Sequence, residues 1–228
     1  MRADRGDSMA AELMLLHSRQ GDAQIYDEIR RSIAPGATLR HVVRPDWRLR
    51  ALRDGMTWQL RREIDSFVRT AEHPVICTCP ILAETAEFAG ALRIDRASMR
   101  AAACTATGTV LLVTITLEAA EPALAALEEA MAAHANDHAV LPLVLDQFQA
   151  LRDSGDLAGF HAAIAAAVIE AVAARRDLTT VILAETLMQP AARLLDGIGP
   201  DLLTIPEPGL RQALGLHARA SLGEPMTT

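Results

Sequence analysis

The sequence predicts an α/β protein built on mainly parallel sheets flanked by helices on both faces. Three observations carry this expectation. Apolar runs of strand length alternate with segments of helical periodicity along most of the chain. Runs such as Val110–Val113 and Val181–Leu183 are almost continuously apolar, as strands covered on both faces are. One strand–turn–helix pattern also occurs twice: Val181-Ile182-Leu183-Ala184-Glu185-Thr186-Leu187-Met188 lies over Val75-Ile76-Cys77-Thr78-Cys79-Pro80-Ile81-Leu82, with Ala192 over Ala86.

Taken in order, residues 1–10 read as a flexible leader, and Glu12–Leu16 as a first strand ending at His17-Ser18. Gly21-Asp22 punctuates the chain. Gln24–Ile33 has apolar positions at Ile25, Ile29 and Ile33, a helical spacing, and Pro35-Gly36 stops it. Leu39–Val43 is a second strand and Arg44-Pro45-Asp46 a loop. Asp54–Thr70 is expected as one long amphipathic helix, with Met56, Leu60, Ile64 and Phe67 on one face. The strand at Val75 then runs through Thr78-Cys79 into a helix opened by Pro80, whose missing N–H is no loss at a first helical position.

Ala91–Asp95 is a short strand and Ala97–Ala103 a helix. After Gly108, Val110–Val113 is a strand that ends at Thr114-Ile115-Thr116, and Ala119–His134 is a helix rich in alanine and glutamate. Ala139–Leu143 is a strand, and a segment Asp146–Leu151 leads to a long helix from Gly155-Asp156 to about Arg176. Thr180–Leu183 repeats the earlier strand and Met188–Leu195 the earlier helix. Leu202–Ile205 is a last strand, Pro206–Leu214 a closing helix, and the tail from about Ala218 is flexible.

Composition narrows the function classes. The 228 residues suffice for one large domain or two lobes with cores of their own. A net charge of −7 argues against nucleic acid as the main partner. No apolar run is expected to span a bilayer and the polar start Met1–Asp7 has no secretory pattern, so the expected setting is cytoplasmic, with no membrane partner. Cys77, Cys79 and Cys104 form no disulfide framework. No second Cys or His cluster at ligand spacing accompanies Cys77 and Cys79, which argues against zinc.

In parallel sheets ligands bind beyond the carboxyl ends of the strands. His17, Ser18, Thr78, Cys79, Thr114, Thr116, Glu185 and Thr186 all fall at that level, with Pro80 directly after the thiol. Each has a dull explanation: threonines and serines cap helices, and a glutamate in a first turn complements the dipole. Their recurrence at one architectural level shifts the balance toward a site. Cys79, placed before a helix start, is expected to ionise more easily than a free thiol. Elsewhere, Arg61, Arg62 and Glu63 read as a solvated face, Arg175-Arg176 as a helix end favourable to its dipole, and Arg93 with Asp95 as a structural pair. Cys77 is expected to be buried and Cys104 to be inert packing.

Thr78-Cys79-Pro80, Arg93-Ile94-Asp95 followed by Met99, Thr114 with Thr116, Val181–Glu185 and Leu203-Thr204-Ile205-Pro206 together resemble the aspartate/glutamate racemase superfamily, which includes hydantoin racemases, maleate isomerases and arylmalonate decarboxylases. The likeness runs from about Glu12 to Leu214. It implies two pseudo-symmetric lobes, residues 11–96 with 206–217 and residues 97–205, around a substrate cleft, in a homo-oligomer. It also implies a small carboxylate substrate and no metal or pyridoxal cofactor. Two cysteines, one per lobe, then remove and return the α-proton, with threonines and backbone amides holding the carboxylates.

The sequence departs from that pattern at one place: Cys79 fills the first cysteine position and Glu185 the second. Three readings follow. In the first, a cofactor-independent racemase or isomerase uses Cys79 as base or nucleophile and Glu185 as its partner acid/base. In the second, a decarboxylase of a substituted malonate-type acid uses Cys79 as proton donor. In the third, the scaffold binds a small ligand without turning it over.

Overall fold

The computed structural model describes residues 12–216, so the expected flexible ends lie outside the described residues. Two four-stranded sheets, each wholly parallel, form its frame. The first holds β1 (Glu12–His17), β2 (Thr38–Val43), β3 (Val75–Cys77) and β4 (Leu92–Arg93), in the order β2-β1-β3-β4. The second holds β5 (Thr109–Thr114), β6 (Val140–Val144), β7 (Leu178–Leu183) and β8 (Asp201–Thr204), in the order β6-β5-β7-β8. The two orders are the same with the numbers advanced by four. The repeated motifs at Val75 and Val181 therefore occupy equivalent strands, β3 and β7.

The helices are α1 (Asp22–Ile33), α2 (Pro45–Asp54), α3 (Trp58–Thr70), α4 (Pro80–Phe88), α5 (Arg96–Thr105), α6 (Leu117–Ala133), α7 (Gln149–Asp153), α8 (Leu157–Ala174) and α9 (Pro206–Ala213). Because successive strand residues point to opposite faces, each sheet feeds two cores. Val110, Leu112 and Ile182 join Leu13, Leu15 and Ile76 in a core between the sheets, filled by Met99, Ala102 and Leu127 of α5 and α6. Leu111, Val113 and Val181 face the other way, onto Phe160, Ile164 and Val168 of α8. Leu16, Val75 and Cys77 face Trp47, Leu60, Ile64 and Leu82 of α2, α3 and α4. The shared central core fixes the two sheets relative to one another.

Six expectations need correction. Residues 45–54 form α2 rather than a loop, because Pro45 sits at the first helical position, where it starts a helix. The long helix expected from Asp54 begins only at Trp58: Gly55 takes φ +74 and Thr57 caps α3 by accepting the Leu60 N–H. The second copy of the repeated helix is a 3-10 helix, Thr186–Leu195, with Pro190 inside it. And α8 is long and apolar enough, by length and composition, to cross a membrane; here its Phe160 face covers the second sheet. Cys77 is buried and Arg93 pairs with Asp95 at 2.6 Å, but Cys104 is exposed rather than packed. Glu63 is not merely solvated, since it accepts from Trp47 Nε1 at 3.1 Å and pairs with Arg50 at 2.7 Å.

Helix α9 crosses β4 closely enough that a methyl group at Gly209 would collide with the Ile94 carbonyl. Gly209→Ala is expected to cost about 1–3 kcal/mol of stability, as overpacking does. Urea unfolding would show it as a lower midpoint at unchanged slope.

Candidate active site

Cys79 reaches the site because β3 ends early. The Thr78 N–H still donates to the Leu16 carbonyl at 3.0 Å, extending the ladder by one residue beyond Cys77. Cys79 then keeps extended backbone, φ −98, and Pro80 opens α4. The sulfur is buried, at 3 % exposure. Burial raises the thiol pKa, while the Ser18 hydroxyl, the Leu82 and Ile81 amides and the Arg48 charge pull it the other way. The net direction is upward. The expectation of an easily ionised thiol therefore fails: a helix start offers partial charges, and desolvation outweighs them.

Glu185 occupies the matching turn after β7, also in extended backbone at φ −130. Its carboxylate is buried and held at both oxygens. The Ile115 N–H donates to Oε1 at 2.6 Å, and Arg19 Nη1 pairs with Oε2 at 3.1 Å. Arg19 follows β1, so this ion pair joins the strand ends of one sheet to those of the other. Tyr26 of α1 and Thr186 make a second such link, hydroxyl to hydroxyl at 3.1 Å.

Between these groups lies a cleft of about 370 Å³, counting its mouth to solvent. Cys79 and Glu185 both line it, with Ser18, Thr78, Pro80 and Thr186. A second space of about 310 Å³ lies on the other side of Thr78 and Cys79, against Cys77, Asp95 and Ile205. Three expected residues stand elsewhere. His17 is wholly buried and does not line the cleft. It bonds Thr78 Oγ1 through Nδ1 at 2.9 Å and His41 Nδ1 through Nε2 at 2.8 Å. Burial, and next the His41 charge, lower its pKa to about 3, so it is a neutral support for Thr78. Thr116 caps α6 by accepting the Ala119 N–H, the ordinary role of a threonine there. Thr114 is buried in β5, and its hydroxyl meets no partner among the described residues.

Arg19, Asp22 and Arg48 also line the cleft and were not singled out from the sequence. Arg48 is half-buried, and among the described residues its guanidinium forms no ion pair. Desolvation, then the charge of Arg19, lowers its pKa. Asp22 is buried at 6 % exposure in the first turn of α1. Desolvation raises its pKa to about 7, with Arg19 opposing and Glu185 adding to the rise. No group of three His, Cys, Asp or Glu side chains among the described residues is disposed to hold a metal ion. Two guanidinium groups thus face a small cleft with one thiol and two carboxyl groups, an arrangement suited to gripping an anion and moving a proton.

The fold is that of glutamate racemases. The isoform RacE1 of Bacillus anthracis superposes with a TM-score of 0.61 at 16 % identity, covering 90 % of this chain and 83 % of that one. The glutamate racemase of Francisella tularensis, solved with D-glutamate, gives 0.59 at 16 % identity, with 90 % and 80 % covered. The Thermus thermophilus glutamate racemase, solved with beta-chloro-D-alanine, gives 0.57 at 16 % identity, with 90 % and 82 % covered. No family model matches the sequence, and no curated protein matches it. At this identity the likeness establishes architecture alone.

Two stability tests follow from the geometry. Arg19→Met leaves the Glu185 carboxylate buried without its cation and is expected to cost about 2–4 kcal/mol. Adding Glu185→Gln should restore much of that loss, a coupling that a double-mutant cycle in urea would measure. For Asp22 the folded protein holds the proton more tightly than the unfolded chain. Its contribution is therefore present below about pH 4, the ordinary carboxyl value, and is lost as pH rises through about 7. Asp22→Asn should accordingly raise the melting temperature at pH 8 and change it little at pH 4.

Proposed function

We propose that this protein is a cofactor-independent racemase or isomerase acting at the α-carbon of a small carboxylic acid. The observation that carries this reading is the convergence, in one small cleft, of a buried thiol after the first sheet's β3, the Glu185 carboxyl after the second sheet's β7, and two arginines. The shared architecture with glutamate racemases supports it.

The chemistry needs three things. The α-proton of a carboxylate is very weakly acidic, so negative charge must be stabilised as it develops on the substrate carboxyl. Arg48, without an ion-pair partner among the described residues, and Arg19, shared with Glu185, supply positive charge. A proton must then leave one face of the α-carbon and another arrive at the opposite face. Cys79 serves one face. A carboxyl group of the cleft serves the other: Glu185 holds the position equivalent to Cys79, and Asp22 lines the same cleft. Finally, access of water must be limited, and a small, largely buried cleft favours this. Thr78, whose hydroxyl donates to the Leu16 carbonyl and contacts His17 Nδ1, and Thr186, bonded to Tyr26, fix the polar walls of the cleft.

A decarboxylase remains the second reading, favoured by one observation. A thiol whose pKa is raised stays protonated and suits a proton donor better than a base. Polarimetry and carbon dioxide release separate the two.

The test is α-proton exchange in D₂O, followed by NMR over a panel of amino acids and dicarboxylates. The wild-type protein is expected to wash deuterium into at least one of them and to erode its optical rotation. Cys79→Ala should lose this activity by two orders of magnitude or more. Full activity in Cys79→Ala would sink the proposal.

A further inference from the structure

We propose that Asp22, rather than Glu185, is the acid/base that works opposite Cys79. This rests on the reading of the cleft as a racemase or isomerase site and assigns one of its two proton-handling groups.

The argument begins with Glu185. Both its oxygens accept from donors that favour the charged form, the Ile115 N–H at 2.6 Å and Arg19 at 3.1 Å. Taking up a proton would break a charge-assisted pair that also ties the two sheets together. Turning toward a substrate would leave both donors unmet. Glu185 is thus held in place at both oxygens, as the partner of Arg19.

Asp22 is held differently. It lines the same cleft and is more than nine-tenths buried, yet among the described residues its carboxyl makes no hydrogen bond. Titratable neighbours come at it from several elements: the charges of Arg19 after β1 and Glu185 after β7, and the neutral phenol of Tyr26 one turn on in α1. Cys79 and Arg48 share the cleft with it. Burial is the main cause that raises its pKa to about 7; the Arg19 charge opposes the rise, and the Glu185 charge adds a smaller part. That value places Asp22 where an acid/base is most effective near neutral pH.

The same division of labour accounts for the thiol. Cys79, buried and raised in pKa, begins as S–H. The Asp22 carboxylate takes the α-proton and becomes the acid. The C–H electron pair passes into the enediolate formed with the substrate carboxyl, under Arg48. The Cys79 S–H then delivers its proton to the other face and becomes a thiolate. One C–H bond breaks, one forms, and the enzyme is left with Asp22 protonated and Cys79 ionised. That form is competent for the opposite enantiomer, or resets by proton exchange with solvent.

The experiment compares Asp22→Asn, Glu185→Gln and wild type across pH 5–9, using the substrate found by deuterium exchange. Wild-type kcat should rise with pH through about 7. Asp22→Asn should lose kcat by about 10²-fold or more, the scale of a missing general base, with KM within a few-fold. Its residual rate should lack the limb near neutrality. Glu185→Gln, which disturbs Arg19, should act mainly on KM and keep that limb. A circular-dichroism melt confirms that each variant is folded. Asp22→Asn with kcat within tenfold of wild type overturns the assignment, as does loss of the neutral limb in Glu185→Gln alone. In the ligand-free protein, a ¹³C NMR titration placing the Asp22 carboxyl near pH 4 would also overturn it. Full activity in Cys79→Ala would instead strike at the parent reading, so the two failures are distinguishable.

Discussion

A buried carboxylate without a cation nearby is among the most costly things a fold can contain. The Arg19–Glu185 pair is the constraint around which this structure closes. Glu185 stands at the end of β7 and Arg19 just past β1, so neither sheet satisfies its own charge. Each needs the other at contact distance. The apolar core between the sheets supplies the approach, and the ion pair joins them at the carboxyl ends of their strands. The Tyr26–Thr186 hydroxyl contact reinforces the same edge. A cleft bounded by such a pair stays narrow, and its polar groups act in a medium poorer in water than the surface.

Within that medium, two rules about reactive thiols oppose each other. Helix starts favour anions, and burial disfavours them. Cys79 has both in full measure, and burial prevails. The outcome is a thiol held toward its protonated form by the surroundings that bring it into the cleft.

Much of the fold was legible in the residues. Apolar runs of strand length, the doubled strand–turn–helix and the proline–glycine punctuation placed all eight strands and most helices to within a few residues. The failures have physical causes. Pro45 ends elements as often as it begins them, and only the chain following it shows which. The segment after Glu185 carries a helix-like apolar spacing, but Pro190 and the close packing of Met188, Ala191 and Leu195 favour the tighter 3-10 winding. At the site, Cys79 and Glu185 were visible because each sits in a recognisable turn. Arg19, Asp22 and Arg48 were not, since an isolated charge in a turn or an amphipathic helix has the same local signature whether it faces water or a ligand. Their convergence is a product of tertiary structure. His17 illustrates the converse: it stands at the expected level, yet its ring is consumed in holding Thr78 and stacking on His41.

The two sheets share one topology, and their equivalent turns present different chemistry. A thiol can be buried neutral, so the turn after β3 needs no partner. A carboxylate cannot, and the turn after β7 comes with an arginine from the other sheet. The cation that accompanies Glu185 lowers the proton affinity of Asp22 by more than Glu185 raises it, so the rise at Asp22 comes from burial. An asymmetric site on a symmetric frame follows from the electrostatics of burial: one carboxyl group is matched by an arginine from the other sheet, and the other is left to the desolvation of the cleft.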